Sequence, residues 1–218
     1  MIEEKEKKIF NIVKNFTSID KVIDVGGFHG NWSDMILSDS PDCYITIFEP
    51  DVINFEVLKS KFDKNEKIKL INSGASSEKS KLTYYNIIGD NSLREMSGFV
   101  QREIYKKYKI EEVQVMVVRI DDIYEDIDFL KIDTEGFEFN VIKGCEKLLD
   151  SKKVKFIQFE YGGTYLDNNI YLNDIINYLN KFNYFVYDID KVGNIKVIQN
   201  YVDDYEYNNF LATYIKLV

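Results

Sequence analysis

The sequence predicts an α/β fold built on a mostly parallel sheet. Three observations carry this. Short apolar runs rich in β-branched residues alternate with stretches of helical periodicity. The first such run ends in a glycine-rich turn that leads straight into a helical stripe. Only two prolines occur, Pro41 and Pro50, so no Pro-rich linker divides the chain. Strands separated by helices are joined by crossovers, which make neighbouring strands parallel. A chain of 218 residues suits one domain, 1–218, around a single buried core.

The elements follow in order. Ile9, Ile12, Val13 and Phe16 fall on one helical stripe, so residues 1–18 read as an N-terminal helix. Val22 to Val25 is a strand, and Trp32, Met35 and Ile36 begin the helix after its turn. Tyr44 to Phe48 is the second strand. Asp51 suits the N-cap of a helix with Val52, Phe55 and Phe62 inward and Leu58 near the stripe. Ile68 to Ile71 is the third strand.

Regularity then lapses over 80–120, which reads as an insert. Leu82 to Tyr85 and Val113 to Ile120 have strand character, and 94–108 reads as a poorly amphipathic helix between them. Alternation resumes with a strand at Phe129 to Ile132 and a helix carrying Val141, Ile142, Cys145, Leu148 and Leu149 on one face. A strand at Val154 to Phe159 and a helix marked by Leu172, Ile175, Ile176 and Leu179 come next. Tyr184 to Tyr187 and Leu211 to Ile215 close the chain as strands with no helix between them, so one should run antiparallel.

Composition narrows the function classes. Hydrophobic residues at 45% and charged residues at 30% are a globular mixture, not a disordered one. The net charge of −9 argues against broad binding to a polyphosphate backbone, so no nucleic-acid partner is expected. The polar start, Met1 to Lys8, lacks the apolar core of a secretory signal. No run reaches the roughly 18 apolar residues that span a bilayer. Cys43 and Cys145 show no metal-ligand spacing and read as two buried thiols, so a cytoplasmic protein without a membrane partner is expected. Oligomeric state is not readable.

The chemistry starts at the first turn, Asp24-Val25-Gly26-Gly27-Phe28-His29-Gly30. In open α/β sheets ligands sit beyond the carboxyl ends of the strands, at the point where strand order reverses. A dinucleotide needs Gly-x-Gly-x-x-Gly at such a turn. Counting from Gly26 puts Phe28 at the second glycine position, and counting from Gly27 puts His29 there. Either side chain blocks close approach of a pyrophosphate. The turn fits Asp-x-Gly-x-x-x-Gly instead, with Asp24, Gly26 and Gly30. This suits a cofactor that carries a carboxylate and an ammonium but no phosphate, because the helix N–H groups favour the carboxylate. Glu49, at the end of the second strand, suits a bidentate grip on both ribose hydroxyls.

Two further strings complete a resemblance. Val22 to Gly30, Phe48-Glu49-Pro50 and Leu130-Lys131-Ile132-Asp133-Thr134-Glu135-Gly136-Phe137-Glu138 resemble the FkbM-type methyltransferases. Asn72 to Ser77, Val118 to Ile123 and Ile157 to Glu160 agree with them, so the match runs from about residue 20 to 161. The resemblance implies a Rossmann-like class I methyltransferase fold: a mostly parallel seven-stranded sheet with an antiparallel last strand and a small insert after the third strand. It implies S-adenosyl-L-methionine as donor, S-adenosyl-L-homocysteine as product, and O-methylation of a hydroxyl on a sugar, glycan or other small molecule. Asp24, Gly26, Gly27, Gly30, Glu49 and Pro50 would hold the cofactor, with Asn72, Gly74 and Ala75 beside the adenine. Gly27-Phe28 departs from the family's usual Ala-Asn.

An alcohol acceptor is a poor nucleophile until its proton leaves, so a carboxylate or histidine near the transferred methyl is expected. Asp133 ends the fourth strand of the inferred sheet and is the first candidate. Glu135, Glu138 and Glu160 follow. Asp133 and Glu135 equally suit capping of the helix that starts near Gly136. His29, the only histidine, reads as packing or hydrogen bonding within the turn. The acidic group Asp121, Asp122, Glu125, Asp126 and Asp128 matches no defined metal site and reads as a solvated loop with helix caps, so no metal is expected. Arg94, Arg102, Tyr105 and Tyr108 in the insert suit contacts to a sugar. Two other functions share the fold: a nicotinamide-dependent oxidoreductase, and a cofactor-binding module without catalysis.

Overall fold

A computed structural model describes residues 2–202 and 204–218, with side chains from residue 4 onward. Its elements are α1 (Ile2–Lys14), β1 (Lys21–Val25), α2 (Asn31–Asp39), β2 (Tyr44–Phe48), α3 (Val52–Phe62), β3 (Ile68–Ile71), β4 (Gly74–Ala75), β5 (Ser80–Ile88), β6 (Lys109–Val118), β7 (Ile127–Ile132), α4 (Glu138–Lys143), α5 (Glu146–Asp150), β8 (Val154–Tyr161), α6 (Leu172–Lys181), β9 (Phe185–Ile189), β10 (Ile195–Ile198) and β11 (Asn208–Thr213). Short 3-10 helices at Asn91–Met96, Glu103–Lys107, Ile120–Asp122 and Gly163–Asn168 connect them.

The main sheet has the order β10-β9-β11-β8-β7-β1-β2-β3. Strands β3, β2, β1, β7 and β8 pair in parallel, and β11 is antiparallel to both β8 and β9. Strand order reverses between β1 and β7, so a crevice opens there at the carboxyl ends. Each strand presents alternate residues to two helical layers. In β7, Phe129 packs with Phe10, Val13, Trp32 and Ile36 of α1 and α2. Leu130 and Ile132 face the other way, among Val141, Ile142, Leu172 and Ile176 of α4 and α6. Among the described residues, no helix is long and apolar enough to cross a membrane.

Four expectations change. The main sheet has eight strands, not seven, because β10 adds antiparallel to β9. The turn between them is tied by Asp190, whose Oδ1 accepts the N–H groups of Val192, Gly193 and Asn194 at 2.8–2.9 Å. Residues 94–108 form no α-helix. The Tyr85–Gly98 bridge pins the middle of that stretch to β5 and leaves a 3-10 turn on each side. The helix after Gly136 is two short ones, broken at Gly144. There the backbone passes so close to Ser76 that a Cβ would lie 2.1 Å from its carbonyl oxygen. Asp121 then caps α5 by accepting from Lys147 and Leu148 N–H. Last, α3 buries Asn54, Leu58 and Phe62, while Val52 is 61% exposed.

The insert is a second sheet. β5 and β6 pair antiparallel along their whole length, and β4 joins β6 in parallel. Phe99, in the loop after the first 3-10 helix, packs edge-on against Tyr84 of β5 and tilted against Phe137 before α4. These rings seat the insert over the carboxyl ends of the main sheet.

Candidate active site

A cavity of about 770 Å³ lies at the switch point, within the range of small-molecule sites. Its floor is the turn after β1. Gly26 and Gly27 N–H both donate to Phe48 O, which joins that turn to the end of β2. Gly26 has φ +83°, and a Cβ there would lie 1.7 Å from Asp133 O, so only glycine fits. Phe28 takes φ 45°, and its ring stacks on His29 at 3.7 Å. Both rings line the cavity.

One wall is Glu49, 3% exposed. Its Oε2 accepts Phe28 N–H at 2.8 Å and its Oε1 accepts Asp51 N–H at 2.9 Å. The Asn54 side chain is a third partner, which leaves the carboxylate room for a further donor from the cavity. Burial pushes the carboxyl up to about 8, against the lowering effect of the two N–H donors. Pro50, Gly74 and Ala75 continue this wall.

Three cofactor candidates lie outside the lining. Asp24 is fully buried behind the turn: Ser33 Oγ donates to its Oδ2 at 2.7 Å, and Lys131 Nζ lies 3.3 Å from its Oδ1. It shapes the turn and balances Lys131 from beneath. Asn72 braces the wall by donating to Glu49 O at 2.8 Å. Gly30 starts α2 at φ +71°, where a Cβ would strike Phe62 and Leu58.

The opposite wall comes from β7 and β8. Ile132 pairs with Phe159, so the residues that follow them, Asp133 and Glu160, stand side by side. Glu135 turns back beside them at φ 59°. One carboxylate oxygen from each of the three lies within 4.8 Å of the other two. Burial and neighbouring carboxylates push Glu135 up to about 8 and Glu160 up to about 10, with Arg102 opposing the first and Lys131 the second. Glu138 is elsewhere. It is fully buried, and its Oε1 accepts Thr134 and Gly136 N–H, so it holds the loop rather than facing the cavity.

Lys131, given no role from sequence, is central. It is 4% exposed and lies between Asp24 and Asp133, at 3.3 and 3.4 Å. Burial opposes its charge, but the two carboxylates outweigh burial and push its pKa up. A lone lysine inside an apolar strand was the available signal. Trp32 and Glu6 also line the cavity, from α2 and α1. Nothing in the helical stripes distinguished Trp32 from core.

The insert forms the roof, with Tyr84, Arg94, Met96 and Phe99. Arg94 forms a buried ion pair with Asp51, beside Glu49. Arg102 Nη1 donates to Glu135 Oε2 at 2.6 Å and to Met96 O at 3.2 Å. The roof is therefore tied to both walls. Tyr105 donates to Met96 O and packs within the insert, and Tyr108 is not in the lining.

A doubly wound sheet with an antiparallel strand wedged between β8 and β9, and a cleft at its switch point, is the architecture of class I methyltransferases. Solved structures agree. The chain is similar to the methyltransferase domain of a bacterial Hen1 (12% identity, 96% of each chain, TM-score 0.51). It is also similar to TrmK of M. capricolum in complex with S-adenosyl-homocysteine (12% identity, 95% of this chain and 68% of that one, TM-score 0.50). At such identities the likeness is one of fold. No curated protein matches the chain in sequence. Residues 24–186 match the methyltransferase FkbM domain. The chain belongs to this family, the FkbM-type class I methyltransferases that depend on S-adenosylmethionine.

Proposed function

We propose that the protein methylates a hydroxyl on a sugar or another small polyol. The convergence of Asp133, Glu135 and Glu160 on the wall opposite Glu49 carries this reading.

S-adenosylmethionine, when bound, supplies an activated methyl group. The residues present fit it. Glu49 offers its carboxylate to a ribose, and Gly26 and Gly27 leave the turn open beside it. Gly74 and Ala75 line the same wall, where the adenine would lie.

On the other wall the three carboxylates are acceptors that suit the several O–H donors of a polyol. Asp133 is held by Lys131 and Glu135 by Arg102, which fixes their orientation. Glu135, turned into the cavity and held by Arg102, is placed to take the hydroxyl proton. Phe99, Tyr84 and Tyr207 offer apolar faces on which a sugar ring can rest.

The test has two stages. Calorimetric titration with S-adenosylhomocysteine reads the cofactor side, and transfer of labelled methyl to a panel of sugars, polyols and amines reads the acceptor side. Transfer only to amines, or near-normal turnover by both Asp133→Asn and Glu135→Gln with cofactor bound, would overturn the reading.

A further inference from the structure

Asp133, Glu135 and Glu160 hold more acceptor oxygens than the protein supplies donors. Asp133 uses Oδ2 toward Lys131, and Glu135 uses Oε2 toward Arg102. Among the described residues, no hydrogen bond or ion pair engages their second oxygens. Glu160 is a separate observation. It is 7% exposed and lines the cavity, yet its carboxylate accepts no hydrogen bond and forms no ion pair among the described residues. Thr134 Oγ1, between the other two in sequence, is also buried without a partner.

A buried carboxylate left without a donor is costly, and three together repel one another. Lys131 relieves this only in part, because Asp24 shares its charge from below. What is missing is a cation or protons. All three residues line the cavity, from backbone positions that the β7–β8 register and the Glu135 turn hold in place. An all-oxygen, anionic set selects a hard divalent ion, and not zinc or copper, which favour nitrogen or sulfur. The 4.8 Å spacing is wider than the roughly 3 Å between oxygens around Mg²⁺, so the three carboxylates would draw together on binding.

We propose that Asp133, Glu135 and Glu160 form a site for a divalent cation of the Mg²⁺ or Mn²⁺ class, whose remaining positions take two adjacent oxygens of the acceptor. This deepens the hydroxyl-methylation reading and rests on it for the acceptor half alone. The cation neutralises the carboxylates and orients a vicinal diol against the methyl donor's side of the cavity. It also answers why the acceptor wall is acidic although the acceptor itself is uncharged.

The probe is Mn²⁺ alone, followed by electron paramagnetic resonance on the full chain, with S-adenosylhomocysteine titrated in parallel by calorimetry. The expected result is one saturable Mn²⁺ site, competed by Mg²⁺. Changes beyond the ligand shell already cost ~10–100-fold in metal affinity, so Glu160→Gln and Asp133→Asn should each weaken binding by at least that. Both variants should keep S-adenosylhomocysteine binding, which shows that they are folded. Absence of saturable Mn²⁺ binding, or binding that neither variant weakens, overturns the site; the three carboxylates would then share protons instead. If S-adenosylhomocysteine binds and Mn²⁺ does not, the cation site falls alone. If Mn²⁺ binds with this sensitivity and S-adenosylhomocysteine does not, the cation site stands and the methyltransferase reading falls.

Discussion

Glu49 Oε2 accepts the Phe28 N–H at 2.8 Å, so the end of β2 sets the shape of the turn after β1. One carboxylate thus does two things: it holds a non-glycine residue at φ 45°, and it faces the cavity where a ribose would lie. Glu49→Ala removes both. A hydrogen bond to a charged group contributes ~1.5–3 kcal/mol, so losing it should weaken S-adenosylhomocysteine binding by about one to two orders of magnitude. Calorimetric titration checks this, and an unchanged Kd would remove Glu49 from the site.

The same carboxyl predicts a pH dependence. Below about 8 it is largely protonated in the free protein. The ionised form accepts from the ribose, so ligand affinity should rise with pH toward 8 and level off above it. Methylthioadenosine keeps the ribose and lacks the amino acid, which isolates the effect. The slope is at most about tenfold per pH unit, and Glu49→Gln should flatten it. Stability has the opposite sign. The folded pKa lies above the ordinary value of 4.5, so Glu49's contribution is fully present below 4.5 and is lost as pH rises to about 8.

Lys131 separates Asp24 from Asp133 inside the sheet. Lys131→Met leaves Asp24 buried with only the Ser33 hydroxyl as partner. Breaking one side of a buried pair costs ~3–5 kcal/mol, so the urea midpoint should fall sharply. Asp24→Asn should cost less, because Lys131 keeps Asp133. Equal small losses in both would mean that the ammonium is not the organising charge.

Arg102 ties the roof to Glu135. Arg102→Met should speed amide hydrogen exchange across 91–107 while leaving S-adenosylhomocysteine affinity within a few-fold. Exchange that stays as slow as in the wild type would show that the Tyr84–Phe99–Phe137 ring contacts alone seat the insert.

Gly26→Ala adds a Cβ against Asp133 O at a φ of +83°. Unfavourable φ alone costs ~1–2 kcal/mol. The backbone clash adds to it, so both thermal stability and cofactor binding should fall. A variant that binds normally would mean that the turn and β7 move apart easily.

The wall formed by Gly26, Gly27, Glu49 and Pro50 was legible as one cavity wall because each residue is set locally, the glycines by the turn after β1 and Glu49-Pro50 by the end of β2. Asp24 and Asn72 were placed in the right neighbourhood but act through other groups, Lys131 and the Glu49 backbone. The hairpin around β10 was missed because its strand is four residues long and its turn rests on one aspartate. The face of α3 was misread because its buried positions include Asn54, a polar residue that periodicity does not count as core.

The sequence by itself determined the alternation of strands and helices, the mostly parallel sheet it implies and the glycine turn, because each follows from spacing along one stretch of chain. Asp133, Glu135 and Glu160 were expected at one cleft from their places at and just after strand ends, but only the tertiary structure decided that Glu138 turns away from it and that Lys131 holds Asp133 and Arg102 holds Glu135. That grouping depends on strand register and on a roof folded back from the insert. Register is a long-range relation between pairing partners, which no local pattern of residues states.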